Sequence, residues 1–311
     1  MAKSLAFWLD GGKPNVADIE LHFNYWSLNS SSSKGNLDYL DIGVKFSCLW
    51  EVTSINIFFP FKIDASKYVS SLGRAVCQSD TLIAAIFNTN IREKKPNGER
   101  TDITFMGEHE STLRFHCQIE QGAPGDGVGI NSHGDSGTTI SFPMSLFRTN
   151  NSDTEEVGLK NYFRFRIKMS GDDKKMLSQV YKSKDSKLLS RLESTEIVDF
   201  RVNEIRNLPP QIRSKLEIGG CIKCVHFFLI RETDSEHKLS HTKFKRCRVL
   251  EKDLWDAYLR VGNIQGLNIP DQMLIYHWKE SKEENNPNEN AYIENFSAFA
   301  KFSKTVVTSS T

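Results

Sequence analysis

The sequence predicts an α+β, β-rich fold: an antiparallel β-sandwich-like N-terminal half packed on a mixed α+β C-terminal half. Three segments carry that expectation. Ile19, Leu21, Phe23 and Tyr25 alternate with Glu20, His22 and Asn24. Leu113, Phe115, Cys117 and Ile119 alternate with Arg114, His116 and Gln118. Phe163, Phe165, Ile167 and Met169 alternate with Arg164, Arg166 and Lys168. Side chains of a strand switch faces at every residue, so each segment has one apolar and one polar face, as in antiparallel sheets that are wet on one side.

Taken in order, the chain opens with a short apolar stretch ending at Asp10, which reads as a strand over 4–9 and is too short for a signal peptide. Further strands are expected over 43–50 and 52–61. Asp64 and Ser79 are suitable N-caps for helices over 65–73 and 80–88. Gly122–Gly137 is glycine-rich and reads as a loop before a strand over 138–147. The polar stretch Arg148–Gly158 then marks a boundary between domains over 1–150 and 159–311.

Beyond the boundary, Ser170 with Asp173 has the spacing of a capping box, followed by Met176, Leu177, Val180 and Tyr181 at helical intervals. Lys182–Lys187 interrupts that helix ahead of Leu188, Leu189 and Leu192. Strands are expected over 195–203, 222–231, 243–250, 272–279 and 291–301. A helix over 251–261 places Leu254, Ala257 and Tyr258 on one face, with Gly262 to end it. Lys282–Asn290 reads as an exposed hairpin loop.

Composition narrows the class. Hydrophobic residues make up 39% and charged residues 25%, which excludes a disordered chain, and no apolar run approaches the roughly 20 residues that span a bilayer. Six cysteines (48, 77, 117, 221, 224 and 247), with no export signal, point to reduced thiols and a cytoplasmic location. The net charge of +1 conceals an asymmetry: residues 1–160 hold 14 basic and 19 acidic side chains, and 161–311 hold 26 and 20. The C-terminal half is thus the better candidate for an anionic partner.

Three constellations suggest chemistry. Gly134-Asp135-Ser136-Gly137 resembles the nucleophile segment of chymotrypsin-like serine proteases, and His22 with Asp38 or Asp41 has the chain order that this resemblance implies. Thr138 and Thr139 depart from the glycine and proline of that family, and a Gly/Asp/Ser turn accounts for the same four residues. Cys221-x2-Cys224-x12-His237-x3-His241 has zinc-finger spacing, but Val225–Ile230 is the apolar run of a buried strand. The segment therefore reads as strand, turn and strand with unligated thiols, in a hairpin that would bring Cys247 near Cys224.

The third constellation is basic. Arg164, Arg166 and Lys168 share one face of a strand, and Lys243, Lys245, Arg246 and Arg248 crowd into six residues. Such charges on one surface displace counterions from phosphates, so these seven are the expected nucleic-acid-binding residues. His116 and His277 are expected on exposed strand faces. No phosphate-binding loop, dinucleotide fingerprint, metalloprotease helix or nucleophile elbow occurs, so no cofactor and no metal are expected. The functional expectation is a non-enzymatic binding or assembly subunit with a protein partner, nucleic acid contacting its C-terminal half, and no membrane association. An accessory role in a bacterial defence-type system suits it, though no residue argues for that context. The alternative is a hydrolase or nuclease with a dispersed active site, which a pocket of convergent acids and histidines would favour.

Overall fold

A computed structural model describes residues 4–11, 18–28, 37–47, 51–107, 111–122, 126–148, 159–182, 193–217, 221–240, 244–262, 269–282 and 291–305. The strands are β1 (Ala6–Asp10), β2 (Ile19–Ser27), β3 (Asp38–Phe46), β4 (Ser54–Phe59), β5 (Tyr68–Val69), β6 (Ile91–Asn97), β7 (Arg100–Phe105), β8 (Thr112–His116), β9 (Gly129–Ser132) and β10 (Thr138–Pro143). They continue as β11 (Lys160–Met169), β12 (Ser178–Lys182), β13 (Glu193–Val202), β14 (Ile222–Glu232), β15 (Glu236–Ser240), β16 (Arg246–Val249), β17 (Met273–Ser281) and β18 (Phe296–Thr305). Four α-helices accompany them among the described residues: α1 (Leu72–Cys77), α2 (Asp80–Phe87), α3 (Pro210–Leu216) and α4 (Lys252–Leu259). The fold is α+β and strand-rich, as its alternating segments predict.

A central sheet runs β16-β17-β14-β2-β3-β11-β8-β7-β6, with β5 added on β11. Two four-stranded sheets, β1-β4-β10-β9 and β12-β13-β18-β15, lie against one of its faces. Leu5 links these two smaller sheets: its N–H donates to Arg201 O at 3.0 Å, and its carbonyl accepts from Asn203 N at 2.9 Å. The apolar halves of the alternating strands meet in this layer. Phe142 packs on Phe163 and Phe165 with ring centroids 4.7 and 5.1 Å apart, and Phe200 stacks on Phe227 at 4.1 Å. Each such ring contributes about 1.5–3 kcal/mol through burial.

The other face of the central sheet is also covered. Leu72, Val76, Ile83, Trp255 and Tyr258 from α1, α2 and α4 form a second apolar cluster with Trp26, Tyr39 and Ile230 of the sheet. Ser79 caps α2 as expected, its hydroxyl accepting from Leu82 N, and left-handed Asn88 ends the helix. This second cover overturns the expectation of sheets wet on one side: His22, Asn24, His116, Arg164 and Arg166 are all buried. Alternation separates two faces, but it does not distinguish water from a polar network as the partner of the second.

Several local expectations need correction. The central sheet is mixed, since β14 pairs parallel with β2 and β11 parallel with β8. Strands from both sides of residues 151–158 interleave in it. Asp64 caps a turn, accepting from Ser66 N at 2.8 Å, and Tyr68 and Val69 join β11 before α1 begins. The Ser170–Asp173 capping box forms, but on a 3-10 turn, and Ser178–Lys182 then pairs with β13 as a strand. The hairpin β6–β7 escapes sequence reading because β6 is a charged edge strand carrying Pro96, as edges that resist aggregation often do. No helix among the described residues is long and apolar enough to cross a membrane.

Candidate functional site

The register of the central sheet builds the site. On the helix-covered face, Arg164, Gly43, His22, His226 and Lys279 stand in one row across β11, β3, β2, β14 and β17. A neighbouring row holds Arg166, Asp41, Asn24, Phe228, His277 and Arg246. Glu20 and Lys45 pair one step along, on the other side of His22. Residues remote in sequence therefore share one patch because six strands align their polar positions.

At one end of this patch the groups are fully buried. Asp41 accepts two bonds from Arg166, Nε at 2.6 Å and Nη2 at 3.0 Å, and further bonds from Trp26 Nε1 and Tyr258 Oη. Arg166 Nη1 also donates to the carbonyl oxygens of Tyr258 and Leu259, which α4 leaves free at its C-terminal end. Among the described residues, Arg164 pairs with no carboxylate. It donates to Tyr258 Oη at 2.8 Å, Tyr162 Oη at 3.0 Å and Asn24 Oδ1 at 2.8 Å, so its charge is held by neutral oxygens. Gly43 makes this arrangement fit: a Cβ there would lie 2.0 Å from Tyr162 Oη.

From Tyr162 the line of contacts runs towards the surface. Tyr162 Oη lies 3.4 Å from His22 Nδ1, and His22 Nε2 lies 2.8 Å from Glu20 Oε1. Glu20 Oε1 is also 3.5 Å from His226 Nε2, while Lys45 Nζ holds Oε2 at 2.9 Å. His226 Nδ1 contacts His277 Nε2 at 3.0 Å, the two rings stacked 5.1 Å apart. Burial, reinforced by the neighbouring Arg164 charge, pushes the His22 pKa down to about 4 despite its bond to Glu20. Burial, reinforced by the neighbouring His226, Lys245 and Lys279, brings His277 to about 3. Burial works to raise the Glu20 pKa, but its bonds from His22 and His226 outweigh that and hold it well below the usual carboxylate range. Near neutral pH, His22 and His277 are thus uncharged imidazoles beside an ionised carboxylate.

The three histidines and Glu20 line a cavity of about 350 Å³ that opens to solvent. The C-terminal end of α2 forms one wall through Ala85, Ile86, Phe87 and Asn88. Lys45, Lys245, Arg246, Arg248 and Lys279 form much of the rim. Five cations against one carboxylate give the cavity a positive potential suited to an anion.

Placed in this structure, the seven expected nucleic-acid-binding residues divide. Lys245, Arg246 and Arg248 are exposed and line the cavity. Arg164 and Arg166 are buried and bonded internally, so they form no outer surface. Lys168 is half-buried, with Nζ on Gly262 O at 3.3 Å, and Lys243 lies outside the described residues. Sequence reading misses Glu20, His22 and His226 as a site, because only the pairing of β2 with β14 joins them.

The other constellations do not assemble. Gly134–Ser136 forms an exposed turn beside β10, on a different sheet from His22, and Asp38 and Asp41 bond to other groups. His237 belongs to β15 and packs against Phe244, Tyr276 and Phe302, whereas Cys224 lies on β14 in the central sheet; His241 is outside the described residues. Cys247 lies on β16, which pairs with β17 and not with β14. His116, expected to be exposed, is buried against Phe147 and Asn161. No family model matches the chain, and no curated protein sequence matches it.

Proposed function

We propose that this protein is a phosphoester hydrolase acting on a nucleotide or on the free end of a nucleic-acid strand. One observation carries the reading: a carboxylate and three imidazoles joined in a chain of contacts lie on the wall of a cavity that five Lys and Arg side chains also line. A positive rim binds phosphate oxygens and offsets the charge that develops on them during phosphoryl transfer. The cavity volume is nucleotide-sized and falls within the usual range for ligand sites.

In this reading water adds across the ester. Its oxygen bonds to phosphorus as a neutral imidazole takes its proton, the ester P–O bond breaks, and the proton passes to the leaving oxygen. His277, uncharged near neutral pH and open to the cavity, is placed for the proton transfers. Glu20, held by Lys45, orients His22 and His226.

The test uses end-labelled single-stranded oligonucleotides and bis(p-nitrophenyl) phosphate. Turnover that falls at least about 100-fold in His277→Ala, with the folded state intact by circular dichroism, supports the reading. Binding without turnover in the wild type would instead favour a non-enzymatic binding subunit. If neither substrate binds nor reacts, the proposal fails.

A further inference from the structure

We propose that Glu20 Oε1, His22 Nε2 and His226 Nε2 hold a divalent transition-metal ion, zinc by ligand preference, with its remaining coordination position open to the cavity. The inference deepens the hydrolase reading by assigning the group that activates water, yet it stands on its own geometry.

Convergence is the first argument. Among the described residues these three form the one group of His, Cys, Asp or Glu side chains whose donor atoms all lie within 4.8 Å of one another. Ligands at about 2.0–2.1 Å from a tetrahedral ion sit about 3.3 Å apart. The Glu20–His226 separation of 3.5 Å is already near that spacing, and the Glu20–His22 separation of 2.8 Å needs to open by about 0.5 Å. Half-buried Glu20 and His226 have room for such a shift at the cavity wall.

The second argument is the support behind each ligand. Metal-bound imidazoles use one nitrogen for the ion and tether the other. Both histidines direct Nε2 to the shared point. Nδ1 of His22 meets Tyr162 Oη, itself held by Arg164, and Nδ1 of His226 meets His277 Nε2. Lys45 holds the second oxygen of Glu20. A pair of facing histidines needed only for packing would not need this set of outer partners.

Ligand chemistry is the third. Two imidazoles and one carboxylate suit zinc or a neighbouring first-row ion, whereas magnesium and calcium favour all-oxygen sites. Three protein ligands with an open fourth position is the catalytic pattern, in which the ion lowers the pKa of bound water towards neutrality.

The protein is stripped with a chelator and titrated with zinc against a chromophoric competitor. One ion per chain is expected, with affinity reduced more than about 100-fold in Glu20→Gln and His226→Gln, and about 10-fold in the outer-partner variant His277→Gln. The double variant Cys221→Ser/Cys224→Ser should bind as wild type does. Added zinc should also raise the melting temperature of the wild type and not of His226→Gln, which tests the site without relying on catalysis. No stoichiometric uptake, or uptake that survives Glu20→Gln and His226→Gln but is lost with the cysteines, overturns the proposal. Zinc uptake without phosphoester turnover leaves the metal site standing and removes the hydrolase reading; turnover in chelator together with no stoichiometric zinc uptake does the reverse.

Discussion

His22 and His226 face each other across the parallel junction of β2 and β14, ring centroids 4.9 Å apart and edge to face, with Nε2 of each turned towards Glu20 Oε1. The strands come from opposite halves of the chain, so the site exists only when the central sheet is complete. A slip of one residue in that pairing would turn His226 into the core and bring Val225 or Phe227 to the cavity. Leu21, Phe23, Val225 and Phe227, all buried on the core side, oppose such a slip, and the greasy face thereby fixes the register of the polar one.

Gly43 is the narrowest point behind this pair. Gly43→Ala would press a methyl into Tyr162, whose Oη and Cζ would lie 2.0 and 2.7 Å from the new atom. Tyr162 has to move, and its contacts with His22 and Arg164 move with it. Overpacking of this kind costs about 1–3 kcal/mol, so urea unfolding should show a loss of that size. The His22 imidazole resonances should shift at the same time. A variant with wild-type stability and an unmoved His22 would show that the close approach does not matter.

The buried charges make a sharper test. Asp41 is the only carboxylate bonded to the Arg164–Arg166–Tyr258 group among the described residues, so Asp41→Asn leaves two guanidinium ions in the interior without a counter-charge. Losing one partner of a buried pair costs about 3–5 kcal/mol. The double variant Asp41→Asn/Arg166→Met should recover part of that loss, because one of the two stranded cations is gone. Denaturant unfolding of the wild type, both single variants and the double closes the cycle. A double variant no more stable than Asp41→Asn contradicts the charge-balance account.

Much of the fold was legible for one reason: period-two alternation survives wherever one face packs on an apolar core. Ile19–Tyr25 and Phe163–Met169 announce strands because their core-side residues all pack in the apolar layer. The alternation could not announce what covers Glu20, His22, Asn24, Arg164 and Arg166. A glutamate beside water and a glutamate between two histidines look alike in a sequence. The 3-10 turn at Gly171–Met176 shows the same limit on a local scale. Its capping box is satisfied as the sequence suggests, but a box specifies only the first turn, and pairing with β13 makes Ser178–Lys182 a strand.

The candidate site was half legible. Lys245, Arg246 and Arg248 stood out by density, and they do line the cavity. Arg164 and Arg166 stood out equally, and they are the most deeply buried Lys or Arg side chains among the described residues. A positional signal was present but ambiguous: a basic residue between two phenylalanines of a strand points to water only if nothing packs there. Trp255 and Tyr258, on one face of the helix that does pack there, were the available hint of a second cover.

His116 gives a pH prediction remote from the cavity. Its ring is buried against Phe147 and Asn161, and burial pushes its pKa down to about 3, with Arg100 and Arg114 adding to the shift and Asn161 and Asp102 opposing it. Unfolding restores a value near 6.5. Between those limits the unfolded chain binds a proton that the folded chain refuses, so stability is full above about pH 6.5 and declines as pH falls towards 3. The slope from this group is about 1.4 kcal/mol per pH unit. His116→Gln, which keeps a neutral polar side chain, should flatten the acid side of the stability profile by about one proton. Profiles that run parallel in the two proteins would mean that His116 titrates normally in the folded state.

The rim and the interior separate two meanings of basic charge. Lys245, Arg246 and Lys279 form no ion pair among the described residues, so their charges are available to a ligand, whereas Arg248 shares Glu251 at 3.4 Å. Fluorescence anisotropy with a labelled single-stranded oligonucleotide should show weaker binding for Lys245→Ala and Arg246→Ala. The dependence of log affinity on log salt should fall by about one for each phosphate contact removed. Arg248→Ala should cost less, because Glu251 already neutralises part of that charge. Arg164→Ala and Arg166→Ala should behave differently in kind, with melting temperatures lowered and the salt slope of the remaining folded protein unchanged. If the two interior variants instead fold normally and lose the salt dependence, the ligand reaches β11, and the helices that cover the central sheet must move to admit it.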